Sequence, residues 1–317
     1  MITIKNLDSV PALKSPLILT IGNFDGLHRG HKKVIRKVIA RARELGGTPA
    51  LMTFEPHPRS YLHPENSPPL ILTREEKIEI ISRWGVELFI EVPFTKEFAG
   101  KSADEFLALL YGNFSPREVY IGEDFRFGAG RKGNITVLKK FAESRGCFAE
   151  AVPKLVVEGE EVSATKVRSV LLEGDMEHAH KLLGRPFEIR GEVVPGDHRG
   201  RELGFPTANI AMGDKLIPAT GVYITCLDMG AGLVLPSVSN LGGRPTFHEK
   251  DGVVLEIHVL KGTHELYGRK ARCLFFHKLR DELKFERVPD LVAQIAKDKA
   301  EAERYFELNP LIKKAFY

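Results

Sequence analysis

The sequence predicts an α/β plus β chain: an N-terminal doubly wound parallel-sheet domain, then a small antiparallel β-barrel with a terminal helix. The first half alternates short apolar runs with segments of helical period, the rhythm of βαβ units. From Phe187 onward the runs become short, β-branched and aromatic, separated by Gly, Asn, Asp or Pro. Several such strands within about 90 residues suit a small barrel. At 317 residues the chain is also long for a single core. Gly184, Arg185 and Pro186 break the last helical pattern of the first part, which sets the domains at 1–183 and 184–317.

In chain order, 17–21 is a short buried strand. Residues 32–45 carry Val34, Ile35, Val38, Ile39 and Ala42 at helical spacing with a basic outer face, and Gly46 and Gly47 stop the helix. A strand over 49–54 completes strand, helix, strand, and the crossover implies parallel pairing. A helix over 72–84 has Thr73 as its cap and Glu76 as the capping-box partner. A strand over 86–92, a helix over 102–110 and a short strand over 118–121 continue the alternation. A helical segment enters at 162–171 and finishes over 171–183. The barrel strands are FEIRGEVV, GVYITCLD, LVLPSVSN, VVLEIHVL and RKARCLFFHKL, and a helix over 288–306 closes the chain.

Composition narrows the class. Hydrophobic content of 43% and charged content of 28% are those of an ordinary globular protein. Lys plus Arg at 46 against Asp plus Glu at 42 gives a net charge of +4, interspersed and without a polybasic block, so no nucleic-acid partner is expected. Cys147, Cys226 and Cys273 lie far apart, suggesting neither a disulfide framework nor a zinc site. No apolar run reaches membrane-spanning length and MITIKNLDSV lacks the pattern of a secretory leader, so a cytoplasmic protein without a membrane partner is expected. No signature of an oligomeric state is present.

Chemistry concentrates first in PLILTIGNFDGLHRGHKKV, where Gly22, Gly26 and Gly30 let the backbone turn tightly and approach a ligand. With a helix starting near Gly26, His28 and His31 share one face of its first turn. Unpaired N–H groups there attract phosphate, and two histidines can stabilise charge growing as an α–β phosphate bond breaks. The plain alternative is a polar turn with two surface histidines. His57, just beyond a strand's carboxyl end, either contacts nucleotide or orders a proline-rich loop. In GEDFRFGAGRKGN, Asp124 can accept from ribose or base while Arg126, Arg131 and Lys132 can meet phosphate, or the stretch is a solvated turn. Ser163, Thr165 and Arg168 at a helix entrance can hold phosphate, or simply cap a surface helix.

GNFDGLHRGH with SATKVR resembles the two signatures of the HxGH nucleotidyltransferase superfamily. TFEPHP and IGEDFRFGAGRKGN narrow this to the adenylyltransferase module of prokaryotic bifunctional riboflavin kinase/FAD synthetases. The resemblance implies catalytic roles for His28, His31 and Arg168. It implies ATP contacts for Gly22, Phe24, Asp25, Gly30, Ser163 and Thr165, and flavin or nucleotide contacts for His57, Asp124 and Phe125. The family's second signature usually reads Ser-Ser-Thr-x-x-Arg; Ala164 stands at its middle position here.

In the second half, GDHRGRELGFPTANI supplies Gly196, Gly200 and Gly204, with Arg199 and Arg201 adding positive charge. Thr207 and Asn209 offer two hard oxygen ligands on one side of an extended segment, fit for Mg²⁺ or for stabilising a turn. Glu256 read locally is an exposed strand residue. GRELGFPTAN, SNLGGRPTF, LEIHVL and LRDELKF together resemble the riboflavin kinase barrel. The resemblance implies that Thr207 and Asn209 hold ATP-bound Mg²⁺ and that Gly196, Gly200, Gly204 and Thr207 contact ATP. It also implies that Glu256 takes the proton of the ribityl 5′-hydroxyl and that Arg280 sits near the flavin. The implied chemistry is riboflavin plus MgATP to FMN, then FMN plus ATP to FAD and pyrophosphate. The competing readings are a tRNA-charging relative, which leaves PTAN unexplained, and a flavin-binding carrier without turnover.

Overall fold

In the computed structural model the N-terminal sheet holds six parallel strands among the described residues: β1 (Ile2–Ile4), β2 (Leu17–Ile21), β3 (Thr48–Glu55), β4 (Leu88–Pro93), β5 (Glu118–Gly122) and β6 (Phe148–Val152). The structure describes residues 1–5, 15–196, 204–243, 252–262 and 264–310. The strand order is β1-β4-β3-β2-β5-β6, every pair parallel. Beyond the expected helices α1 (Arg29–Leu45), α3 (Arg74–Trp84) and α5 (Ala103–Phe114), the chain forms short α2 (Pro58–Leu62) and α4 (Lys96–Gly100), and α6 (Ile135–Glu143).

Both faces of this sheet are covered, as double winding requires. Val34, Val38 and Ala42 of α1 pack on Ile18 and Tyr120. Ile35 and Ile39 join Ile80 and Ile81 of α3 over Leu51 and Phe89 on the same side. Phe106, Leu107 and Leu110 of α5 and Leu138 of α6 cover Leu19, Met52, Ile90 and Ile121 on the other. The Thr73 capping box forms as expected: Glu76 N–H donates to Thr73 Oγ1 at 3.3 Å, and Thr73 N–H to Glu76 Oε2 at 2.9 Å.

A two-residue hairpin, β7 (Val156–Val157) with β8 (Glu160–Glu161), leads to α7 (Ala164–Glu173) and α8 (Met176–Leu183). The expected continuous helical segment is therefore two helices. Gly174 has φ +82, which a right-handed helix cannot hold, and Asp175 caps α8 by accepting from His178 N–H at 2.9 Å. By compactness the chain divides into Met1–Ala164 and Thr165–Tyr317. In the second unit the α7–α8 pair lies on the barrel: Ala219 N–H donates to the Leu171 carbonyl at 3.2 Å, and His277 Nδ1 is 2.7 Å from Glu177.

The barrel closes in the order β10-β13-β12-β11-β14-β9, with β9 (Phe187–Val194), β10 (Ala208–Ile210), β11 (Gly221–Asp228), β12 (Val234–Gly243), β13 (Val253–Val259) and β14 (Lys270–Arg280). Its interior holds Tyr223, Leu241, Leu255, Ile257 and Phe275 beside a buried hydroxyl cluster. In that cluster Thr225 Oγ1 lies 2.8 Å from Ser237 Oγ and 2.7 Å from Ser239 Oγ. The terminal helix α9 (Val288–Leu308) covers the outer side with Ala302 and Phe306 against Ile224, Cys226, Leu274 and Phe276. Strand β11 is buried along its whole length, and the helix covers its outward Ile224 and Cys226.

At Gly191 a Cβ would run into the Ala211 carbonyl oxygen, a backbone atom that cannot swing aside. Gly191→Ala is expected to push β9 from its neighbour and cost about 1–3 kcal/mol, as overpacking does. The check is a lowered thermal midpoint.

Candidate active sites

In the N-terminal sheet the chain leaves central β2 toward β3 and β4 on one side and has β5 and β6 on the other. The switch point therefore lies between β2 and β5, where open α/β sheets bind ligands beyond the carboxyl ends of the strands. Three of the expected stretches emerge there: Gly22–Gly30 from β2, His57 after β3, and Gly122–Phe125 from β5.

The turn after β2 is tight. Phe24 (φ 51), Gly26 (φ 77) and Leu27 (φ 41) lie in the left-handed region. The two non-glycine residues each cost on the order of 1–3 kcal/mol, strain of the kind kept at functional sites. Because of them the helix does not begin near Gly26: α1 starts at Arg29 with His28 as its N-cap. His31 N–H donates to His28 Nδ1 at 3.3 Å, and the two imidazoles stack with centroids 3.6 Å apart at 16°. Since His28 Nδ1 accepts, neutral His28 carries its proton on Nε2, a donor suited to a phosphate oxygen. A Cβ at Gly30 would stand 3.0 Å from His28 Nδ1 and 3.6 Å from the Val162 carbonyl. A side chain at this position would crowd the His28 ring, whereas the Val162 carbonyl would be at ordinary contact distance.

Other expected contacts have structural partners. Asp25 is buried, and its Oδ1 accepts from Ile71 N–H at 3.0 Å. Phe24 packs in the core beneath α1 and α3, and its ring meets His31 edge-on with centroids 5.2 Å apart. Gly22 lies against the Phe24 ring, at 3.2 Å from where its Cβ would be. His57 caps α2, its Nδ1 accepting from Arg59 N–H at 3.2 Å. Asp124 bends back over Gly122. Arg126 Nη1 is spent on the carbonyls of Glu123 (3.1 Å) and Phe125 (2.9 Å). Phe125 stacks on Phe127 at 6.0 Å, beside a run of aromatics, Phe106, Phe54, Phe98, Phe94 and Tyr61, at the carboxyl ends of β3 and β4. In the second unit, α7 exposes Thr165 and buries Arg168.

On the barrel a lateral row of paired residues crosses five strands: Arg280, Val222, Asn240, Glu256 and Asn209. Directly opposed residues share a face with Cβ atoms about 4.5–5.5 Å apart, so Asn209 and Asn240 flank Glu256 on the outer side. Asn209 is 3% exposed, and its Oδ1 has no hydrogen-bond partner among the described residues. A Cβ at Gly196 would meet that amide at 3.2 Å. His258 Nδ1 lies 3.0 Å from the Pro206 carbonyl, fixing the residue before Thr207, and burial pushes the His258 pKa down. The neutral ring then donates Nδ1–H. Arg280 is three strands from Glu256, about 14 Å by strand spacing, and is clamped on buried Asp298 with Nη2–Oδ2 at 2.7 Å. Gly200, Arg199 and Arg201 lie outside the described residues.

Known proteins match this architecture along its length. A family model described as FAD synthetase matches residues 10–166, and one described as riboflavin kinase matches 183–306. A bifunctional riboflavin kinase/FMN adenylyltransferase of Escherichia coli K12 is 36% identical, spanning 96% of this chain and 97% of its own. Those of Haemophilus influenzae (34%, 96% and 98%) and Bacillus subtilis (36%, 91% and 92%) agree. The chain belongs to the bifunctional riboflavin kinase/FMN adenylyltransferase family. A solved structure described as a macrolide-efflux protein of Streptococcus pneumoniae shares the fold of this bifunctional kinase/adenylyltransferase chain. Its TM-score is 0.85 at 28% identity, covering 95% of this chain and 98% of that one. Among the described residues no helix is long and apolar enough to cross a membrane.

Sequence reasoning passed over Asn240 and His258 in this riboflavin kinase barrel. LEIHVL does carry His258 two residues from Glu256, a spacing that puts both on one face of a strand.

Proposed function

We propose that the chain makes FAD from riboflavin in two steps: residues 184–317 phosphorylate riboflavin with MgATP to FMN, and residues 1–183 transfer AMP from a second ATP to FMN, releasing pyrophosphate. The observation that carries the first step is the side-by-side register of Asn209 and Glu256. Phosphoryl transfer needs an oriented hydroxyl, a base and a metal across the phosphates. Glu256 is the base that takes the 5′-hydroxyl proton as the oxygen attacks the γ-phosphate. Mg²⁺ prefers hard oxygen donors and takes few of them from protein, which suits the buried Asn209 Oδ1, unpartnered among the described residues. Thr207 and Asn209 would hold it, and when bound it neutralises charge on the ATP phosphates. Gly196, Gly200 and Gly204 with Thr207 line the ATP, and Arg280 serves the flavin end.

In the second step FMN phosphate is already a nucleophile, so no base is required. His28 Nε2–H and His31 stabilise charge developing as the α–β bond breaks, with Ser163, Thr165 and Arg168 as the second-signature grip on ATP. Gly22, Phe24, Asp25 and Gly30 shape the ATP turn, while His57, Asp124 and Phe125 serve the FMN or nucleotide side. The reading keeps the enzyme cytoplasmic, its partners the small molecules riboflavin, FMN and ATP, with no nucleic acid or membrane among them.

Pure protein incubated with riboflavin and MgATP should yield FMN, then FAD with stoichiometric pyrophosphate; flavin binding without turnover would overturn the reading. Asn209→Ala should raise the Mg²⁺ concentration for half-maximal FMN formation by about tenfold or more, equivalent to about 1.4 kcal/mol. FMN-to-FAD conversion, followed in the same preparation, should be unchanged.

A further inference from the structure

We propose that Lys77 is a positioning residue for AMP transfer, holding the backbone of the strained turn that aims His28. This rests on the adenylyltransferase reading of that turn and adds a residue to it. From the first turn of α3, Lys77 Nζ donates to the Asn23 carbonyl at 3.1 Å, and Thr53 Oγ1 of β3 donates to the same oxygen at 3.2 Å. Two donors from two elements thus fix one carbonyl. It lies one residue before Phe24, where the left-handed stretch ending at Leu27 begins. The next residue is His28, whose Nδ1 accepts from His31 N–H, which leaves the neutral ring's proton on Nε2. A turn with two non-glycine residues in the left-handed region does not keep its shape by local preference. It keeps it because its carbonyl is clamped from below and because Asp25 is tied to Ile71 N–H.

The charges around Lys77 make an ammonium the right clamp. Asp25 of the turn, Glu55 at the end of β3 and Glu91 of β4 all face it, and Arg74 on its own helix is paired with Glu91 at 2.6 Å. Burial pushes the Lys77 pKa down and the three carboxylates oppose this; burial likewise raises Glu55. A charged donor makes a stronger bond to a carbonyl than a neutral one. Neither Lys77 nor Thr53 has any part in the phosphate or flavin contacts assigned above.

The test uses the full chain and its two activities. Lys77→Met should lower kcat for FMN-to-FAD conversion by about 10- to 100-fold, the loss of one charge-assisted bond expressed in the transition state. KM for ATP and FMN should stay within about threefold, since the turn is misaimed rather than its ligands removed. Lys77→Arg, which keeps a charged donor, should recover most of kcat, and Thr53→Val should lower it in the same direction by less. Riboflavin phosphorylation by each variant should match the parent. Should Lys77→Met be insoluble, Thr53→Val decides. Unchanged kcat in Lys77→Met or Thr53→Val, or a rise in KM alone, would overturn the proposal. Failure of the unmodified chain to make FAD would count against the adenylyltransferase reading itself.

Discussion

Glu256→Gln is expected to abolish FMN formation while FMN-to-FAD conversion continues at the parental rate. The amide keeps the volume and row position of the carboxylate between Asn209 and Asn240, so the barrel and its neighbours stay in place. It cannot accept the 5′-hydroxyl proton, and removal of a general base costs about 10²- to 10⁴-fold in rate. The loss should fall on kcat with KM for MgATP unchanged, because Thr207 and Asn209 are untouched. Chromatography of reactions started separately from riboflavin and from FMN reads both steps. Joint loss of the two activities would mean that the sites are not separate, and phosphorylation within tenfold of the parent would remove Glu256 from the role of base.

That pairing was not available from the sequence. Strands β10 and β13 are separated by two others, and which residue of β13 faces Asn209 is a matter of register, fixed by the whole barrel. By contrast, features governed by local rules were legible. The Thr73–Glu76 box forms as its spacing implies, and GVYITCLD is β11 to the residue because glycine and the following turn bound a run of β-branched residues. The α7–α8 break was masked by continuous helical spacing around Gly174, which takes a positive φ and lies close to Tyr223 and Lys278 of the barrel. Helix α6 and strand β6 were missed. The first buries only Leu138 and Ala142, and FAEAV has little of the composition of a strand. At the histidine turn the start of the helix depended on the backbone at Phe24, Gly26 and Leu27, which the spacing of the histidines does not show. Lys77 in REEKIEI reads as an ordinary surface lysine; its bond to Asn23 spans 54 positions and has no local signal.

His28→Asn and His28→Ala are both expected to lose FAD formation by about 10²- to 10³-fold, the effect of removing one donor aimed at developing charge. The two variants separate chemistry from folding. His28 caps α1, so alanine also removes the cap and costs about 1 kcal/mol of helix stability. Asparagine is among the best N-cap residues and restores an acceptor for the His31 N–H, while lacking an imidazole Nε2–H. If the role of His28 were to start the helix, His28→Asn would make FAD at close to the parental rate and His28→Ala would not. If the ring acts on the phosphate, both fail alike. Riboflavin phosphorylation, measured in the same samples, stays at the parental level in both variants, and the asparagine form should keep its thermal midpoint where alanine lowers it. Adenylyl transfer by His28→Asn within tenfold of the parent would reassign His28 from the reaction to the fold.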